Sequence, residues 1–323
     1  MTWTAWPDAP AALMPLSMGV ALTVDRLWGE PPAWAHPVVA MGRYLGGFSR
    51  WLTGRRPAAG FLAGAGLWAL GAGFCMLAAL AAQTLLARWL PPQRSTIHLA
   101  ACALLLGLLL KPLLAWRMLR DEVAAVETAL RHSLPAGRQQ LARLVSRDTG
   151  PLAPAEVREA AIETLAENLN DSVAAPLFWF LLAGLPGAAL YRFANTADAM
   201  WGYRGPWEWA GKWAARADDA LSWLPARLTA LALLSVRLGP AASWSALRTE
   251  ARRTPSPNGG WPMGAMALKL DRRLSKPGVY VLNEGARPPE AGDLQRAQDL
   301  AQRALLVLAL AMMAAAAAWR GAW

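Results

Sequence analysis

The stretch AAGFLAGAGLWALGAGFCMLAALAAQTLLA, residues 58–87, contains no charged side chain. About 20 apolar residues suffice for a helix to span the hydrocarbon core of a bilayer, so this run is long enough with residues to spare. SVAAPLFWFLLAGLPGAALY, residues 172–191, is also uncharged and just long enough. Ala9–Val24, Ile97–Leu110 and Ala304–Trp319 are shorter candidates that need flanking residues, and Leu221–Leu238 is interrupted by Arg227. These runs predict an all-α, polytopic integral membrane protein with about four to six membrane helices and helical cytoplasmic loops.

The rest of the composition agrees. Of 323 residues, 55% are hydrophobic and only 17% charged, more apolar and less charged than an ordinary soluble domain. Length alone would allow two soluble domains; the apolar runs argue for a single membrane-embedded domain over residues 1–323. The net charge of +10 comes mostly from Arg, clustered between apolar runs without any nucleic-acid motif, so nucleic acid is excluded as a partner. Positively charged cytoplasmic loops and anionic substrates account for it better. Segments 25–58, 111–171 and 237–303 are Arg-rich and segment 88–96 is not, which places the three basic loops in the cytoplasm of a multi-pass protein in the cell (inner) membrane. Cys75 and Cys102 sit inside apolar runs and read as small buried side chains. The N-terminal segment lacks a basic n-region and a cleavage site, so Ala9–Val24 is expected to be retained.

Against this background the polar residues of 146–230 stand out, since burying them beside apolar runs is unfavourable without a purpose. They occur as SRDT (146–149), ETLAENLNDSVAAP (163–176), NTADAMWGY (195–203) and ARADDALSWLPARLTA (215–230). Pro154 suits a first helical position and Glu156 the helix N-terminus. A helix from there places Glu163, Glu167 and Asp171 at i, i+4 and i+8, three carboxylates along one face. Such a face is either solvated or relieved by a cation; Mg²⁺ takes one or two carboxylates and completes its shell with water and phosphate. Asp198, Asp218 and Asp219 add acids, and Arg192, Arg204, Lys212, Arg216 and Arg227 interleave cations, which reads as ion-paired structure or as phosphate chemistry. Pro176, Gly184, Pro186 and Gly187 weaken a straight helix through 172–191 and favour a re-entrant or half-buried segment.

Two further segments carry alternatives. DRLWGEPPAWAHPVVAMGRYL (25–45) joins Asp25, Glu30, His36 and Arg43; its lone His is a metal or substrate ligand, or a structural residue before Pro. SPNGGWPMGAMALKL (256–270) presents Asn258, Gly259 and Gly260 either to an anion or in a turn before a helix. The 18 Trp read as an interfacial belt, with Trp201, Trp207, Trp209 and Trp213 as the group that would otherwise flank a flat ligand.

The ordered set DxxxGE-P with HPV…GR, RDT, ETxAENxxDxxxAP, NTxDxMxGY, ARxDDxxxxxPAR and SPNxGWP resembles the CobD/CbiB family of cobalamin biosynthesis. Its motif-bearing segments here are 25–45, 146–230 and 256–283. Glu30, Ser222, Gly259 and Met263 depart from residues frequent in that family, and Met263 removes a possible ligand from the 256–263 loop.

The resemblance implies an adenosylcobinamide-phosphate synthase. Such an enzyme is a ligase that joins (R)-1-amino-2-propanol or its phosphate to the propionate carboxylate of adenosylcobyric acid. It implies ATP and Mg²⁺ as cofactors, with the corrinoid as substrate, membrane lipid as surroundings and a cytoplasmic active site. Further partners on this reading are a second copy of the chain or other cobalamin-pathway enzymes. Carried onto the matching motifs, Glu163, Glu167 and Asp171 would ligate metal and supply a base, with Asp198, Asp218 and Asp219 as further catalytic candidates. His36, Arg43, Arg147, Asp148, Asn168, Asn195, Arg204, Arg216, Arg227 and Asn258 would bind substrate or phosphate. The readings from other classes are a membrane transporter, an AmpE-like sensory membrane protein and a non-catalytic scaffold. No inverted repeat of broken helices supports the transporter.

Overall fold

The computed structural model describes residues 10–321, with side chains through residue 318. Its first six helices are α1 (Leu13–Trp28), α2 (Pro37–Thr53), α3 (Pro57–Trp89), α4 (Thr96–Leu110), α5 (Trp116–His132) and α6 (Leu134–Leu141). They are followed by α7 (Pro154–Leu169), α8 (Ala175–Trp201), α9 (Lys212–Ser235), α10 (Trp244–Ala251), α11 (Gly260–Leu270) and α12 (Asp293–Gly321). The strands among the described residues form one antiparallel hairpin, β1 (Leu274–Lys276) with β2 (Tyr280–Leu282), in which Leu274 pairs with Leu282.

The all-α membrane architecture is therefore present. Among the described residues, four helical stretches are long and apolar enough to cross a membrane: Pro57–Trp89, Thr96–His132, Pro154–Trp201 and Asp293–Ala318. Ala9, which opens the first candidate run, lies outside the described residues, as does the side chain of Trp319; the first run belongs to α1 from Leu13 onward, and that helix continues to Trp28. Along α3 the buried positions are mainly small (Gly60, Gly64, Gly71, Ala72, Ala79), whereas Leu62, Leu70, Phe74 and Leu77 are exposed. That is the inverse of a soluble helix. Small residues allow close helix contact and large apolar ones face lipid.

The described residues sort into two compact units, each built from separate stretches of the chain. The first unit comprises Met1–Ala115, Ala175–Leu221 and Ala309–Trp323. In it α1 packs on α4, and α8 packs on α2 and α3. The second comprises Trp116–Ala174 and Ser222–Leu308. Its centre is α7, which touches α5, α6, α11 and β1 and is buried at ten of its positions.

Within the first unit, α8 is broken at Gly184, whose φ of 69° and ψ of −158° are not helical. An L side chain rarely adopts that φ. A Cβ at Gly187 would lie 2.5 Å from the carbonyl oxygen of Trp179, eight residues earlier. In a continuous helix residues eight apart are separated by about 12 Å, so the chain turns back on itself at Gly184. The side chain of Gln83 on α3 accepts the Leu185 N–H at 2.9 Å, satisfying a donor that the break releases. The glycines and prolines of 176–187 thus make a folded-back helical pair, as their weakening of a straight helix predicts.

Candidate active site

Helix α7 begins as its sequence predicts. Pro154 occupies the first turn, and Glu156 reaches back to accept the Ala153 N–H at 2.7 Å. Glu163 and Glu167 then lie one turn apart on the regular helix. From Asn170 to Ala174 the backbone widens into a π turn. Asp171, the expected third member of the face, falls within this turn, and its Oδ1 accepts from the Asn170 side-chain amide at 2.8 Å. Among the described residues no three His, Cys, Asp or Glu side chains converge to hold a metal ion. Such single π turns inside α-helices are frequent at functional sites. Here Asn170 is held in place by Thr229 Oγ1, which donates to its Oδ1 at 3.1 Å.

Glu163 is 6% exposed and accepts from Arg147 Nη2 at 3.0 Å through Oε2. Its Oε1 and the Arg147 Nη1 are both buried without a hydrogen-bond partner. Tyr280, on β2, lies beside this pair and donates to the sulfur of buried Met263 at 3.7 Å. Burial, and then the adjacent Glu163 carboxylate, push the Tyr280 phenol far above the ordinary tyrosine value. Glu167 faces the loop that precedes α11, where a Cβ at Gly259 would sit 2.9 Å from Glu167 Oε1. That loop is tied by its own side chains. Ser256 Oγ accepts the N–H groups of Asn258 and Gly259 at 3.2 and 3.0 Å, so the turn reading of this segment describes it.

Arg227 donates to Asn258 Oδ1 at 3.0 Å and to the Pro257 carbonyl at 3.3 Å, and lies against the rings of Trp223 and Trp261. These contacts tie the loop to α9. Asn168 donates to the Thr164 carbonyl at 3.0 Å, and exposed Asp148 accepts the Gly150 N–H at 2.9 Å. Arg147, Glu163, Glu167 and Asn258 are thus the expected residues that the second unit gathers round one loop and one helix.

His36, Arg43, Asn195, Asp198, Arg204, Arg216, Asp218 and Asp219 belong to the first unit. Asn195 links Arg192 Nη1, at 3.4 Å, to Asp218 Oδ1, at 3.5 Å. Asp219 is half-buried, and burial, opposed by Arg216, raises its carboxyl above the usual range. Asp198 packs over Gly202 at the end of α8. Arg43, Arg204 and Arg216 are exposed. Both nitrogens of His36 are engaged: Nδ1 accepts the Val38 N–H at 3.2 Å at the start of α2, and Nε2 meets Glu30 at 2.9 Å. Lys111 Nζ joins the same Glu30 oxygen at 2.9 Å and Asp25 at 3.4 Å. This is the structural reading of His36.

Sequence reasoning missed Tyr280, Lys111, and Arg273 and Ser275, which donate to the buried Glu159 carboxylate. Nothing in local spacing marks them, since each acts across a large separation in the chain.

A family model described as CobD/Cbib protein matches residues 18–310. The chain is 41% identical over 285 residues to the probable cobalamin biosynthesis protein CobD of Pyrococcus abyssi, covering 88% of this chain and 90% of that one. It is 38% identical over 315 residues to the cobalamin biosynthesis protein CobD of Chromobacterium violaceum, with coverage of 93% and 96%. The corresponding protein of Dehalococcoides mccartyi is 37% identical over 285 residues, with coverage of 83% and 86%. No solved structure matches.

Proposed function

The chain belongs to the CobD/CbiB family, and from that premise we propose that it serves cobalamin biosynthesis as an amide-forming ligase. The reaction joins (R)-1-amino-2-propanol, or its phosphate, to the propionate carboxylate of adenosylcobyric acid with consumption of ATP. The observation that carries this reading is the Arg147–Glu163 pair. A buried carboxylate oxygen and a buried guanidinium N–H without partners are costly unless a ligand completes them.

ATP supplies the activation that a carboxylate needs before it can acylate an amine. The chain's own residues do the rest. The amine arrives as an ammonium and must lose a proton before its nitrogen attacks; Glu163 Oε1 is the acceptor. Arg147 Nη1 holds an anionic oxygen of the activated group. Glu167, half-buried beside the Gly259 backbone, is a carboxylate suited to Mg²⁺, whose remaining ligands would be water and phosphate oxygens. Asp171, Asp198, Asp218 and Asp219 stand as further catalytic candidates, and the active site belongs on the cytoplasmic face of the inner membrane.

The test is mass spectrometry of purified protein incubated with adenosylcobyric acid, Mg²⁺, ATP and either amine. A product with the mass of the amide adduct, lost when ATP is omitted, is expected. Product without ATP, or corrinoid moved across sealed vesicles unchanged, overturns the reading.

A further inference from the structure

A second polar feature of the same unit is a cleft of about 660 Å³. Its lining includes Trp223, Arg227, Trp244, Arg248, Arg252 and Trp261. The aromatic wall is layered. The Arg227 guanidinium lies 4.2 Å from the centre of Trp223 and 4.7 Å from that of Trp261, whose ring is 4.8 Å from Trp244 at a tilt of 30°. Arg227 is fixed there by its bonds to Pro257 and Asn258, so the wall is rigid. Arg248, on α10, and Arg252, at its end, lie four residues apart and are both exposed. The described residues show no ion pair to either.

From this geometry we infer that the cleft is a nucleoside-polyphosphate site. The base lies against the exposed indoles of Trp223 and Trp244, and the phosphates meet Arg248 and Arg252. Indole faces accept any flat heterocycle, and a guanidinium grips phosphate oxygens bidentately. The volume falls within the range of about 300–1,000 Å³ usual for small-molecule sites. The placement is also chemically apt. The loop before α11 supplies Ser256 and Pro257 to the cleft and the first turn of α11 supplies Trp261, while Gly259 of that loop abuts Glu167. A polyphosphate extended along that loop approaches the carboxylates of α7. The inference rests on the proposed ligase for the identity of the nucleotide as ATP.

The experiment uses full-length protein in phosphatidylcholine nanodiscs, titrated with trinitrophenyl-ATP and competed with unlabelled ATP or inorganic triphosphate. The R248Q/R252Q variant is expected to weaken both competitors about tenfold with the melting temperature unchanged, since both side chains are exposed. Trp244→Ala is expected to weaken ATP about fivefold and leave triphosphate unchanged. Unaltered ATP affinity in the double variant overturns the inference. So does displacement of the probe by phosphatidylglycerol placed in the nanodisc, which would make the cleft a lipid-headgroup site. Binding and turnover fail separately. If the double variant forms amide with a wild-type KM for ATP, the cleft assignment falls and the ligase stands. If nucleotide binding depends on these arginines in a protein that makes no amide, the ligase falls and the cleft stands.

Discussion

Glu159 and Glu163 occupy successive turns of α7, both buried, and differ in what surrounds them. Glu159 is closed: Arg273 Nη2 donates to its Oε1 at 3.2 Å and the Ser275 hydroxyl donates to Oε2. Those partners come from β1 and the residue before it, so the carboxylate fastens the hairpin to the central helix. Glu163 is open, with one oxygen on Arg147 and Oε1 short of a full hydrogen bond, its nearest polar neighbour being the Tyr280 phenol. Burial alone therefore does not separate structural from functional carboxylates on this helix. Satisfaction does, because an unfilled buried acceptor is tolerated only where something else fills it.

The largest expected effect is on the open member. Glu163→Gln keeps shape and removes the proton acceptor, so amide formation should fall at least about a hundredfold, the contribution of a general base. Its melting temperature should stay near wild type. Activity within about threefold of wild type would take Glu163 out of the mechanism. Glu159→Gln should do the opposite, lowering unfolding stability by about 1–3 kcal/mol through lost buried hydrogen bonds. KM values should be retained, as read by chemical denaturation and by steady-state assay. A stable Glu159 variant with impaired turnover would erase the contrast between the two turns.

Tyr280 sharpens the comparison through pH. Its phenol is held protonated in the folded protein above the ordinary value of about 10. As pH rises past that value the unfolded chain releases the proton first, so it binds fewer protons than the folded chain and stability falls. Thermal melts from pH 8 to 11 should show this loss in wild type and a shallower one in Tyr280→Phe; equal slopes would detach Tyr280 from the Glu163 pocket. The smallest effect is expected for Gly259→Ala. The new Cβ meets the tip of the Glu167 side chain and, at 3.3 Å, the end of Met263, both of which can swing away, so stability should change by a few tenths of a kcal/mol. A modest rise in the Mg²⁺ concentration needed for activity would show that the displaced tip had been at the metal.

Much of this was legible locally. The uncharged run at 58–87 marked α3, Pro154 marked the start of α7, and spacing placed Glu163 and Glu167 one turn apart. The Gly and Pro residues of 176–187 marked the fold-back in α8. What spacing did not show is the π turn over Asn170–Ala174, which holds Asp171 and departs from the constant helical step that spacing assumes. His36 looked available because its partners, Glu30 and the Val38 N–H, become visible only when the 30–38 turn is folded. Asp25, Glu30 and Lys111 likewise read as separate charges until 80 residues of intervening chain bring Lys111 back to the others.

By itself, then, the sequence determined a helical membrane protein with an acidic helix and the motif order of its family. These properties follow from residue-by-residue transfer energies and from spacings of three or four along a helix. Only the tertiary structure decided which acids are spent and which are open. Arg147 reaches Glu163 from before α7, while Arg273 and Ser275 reach Glu159 from more than a hundred residues beyond it. Whether a buried oxygen is satisfied depends on distant donors, and hydrogen bonding at about 3 Å is a property of position in space that chain distance does not encode.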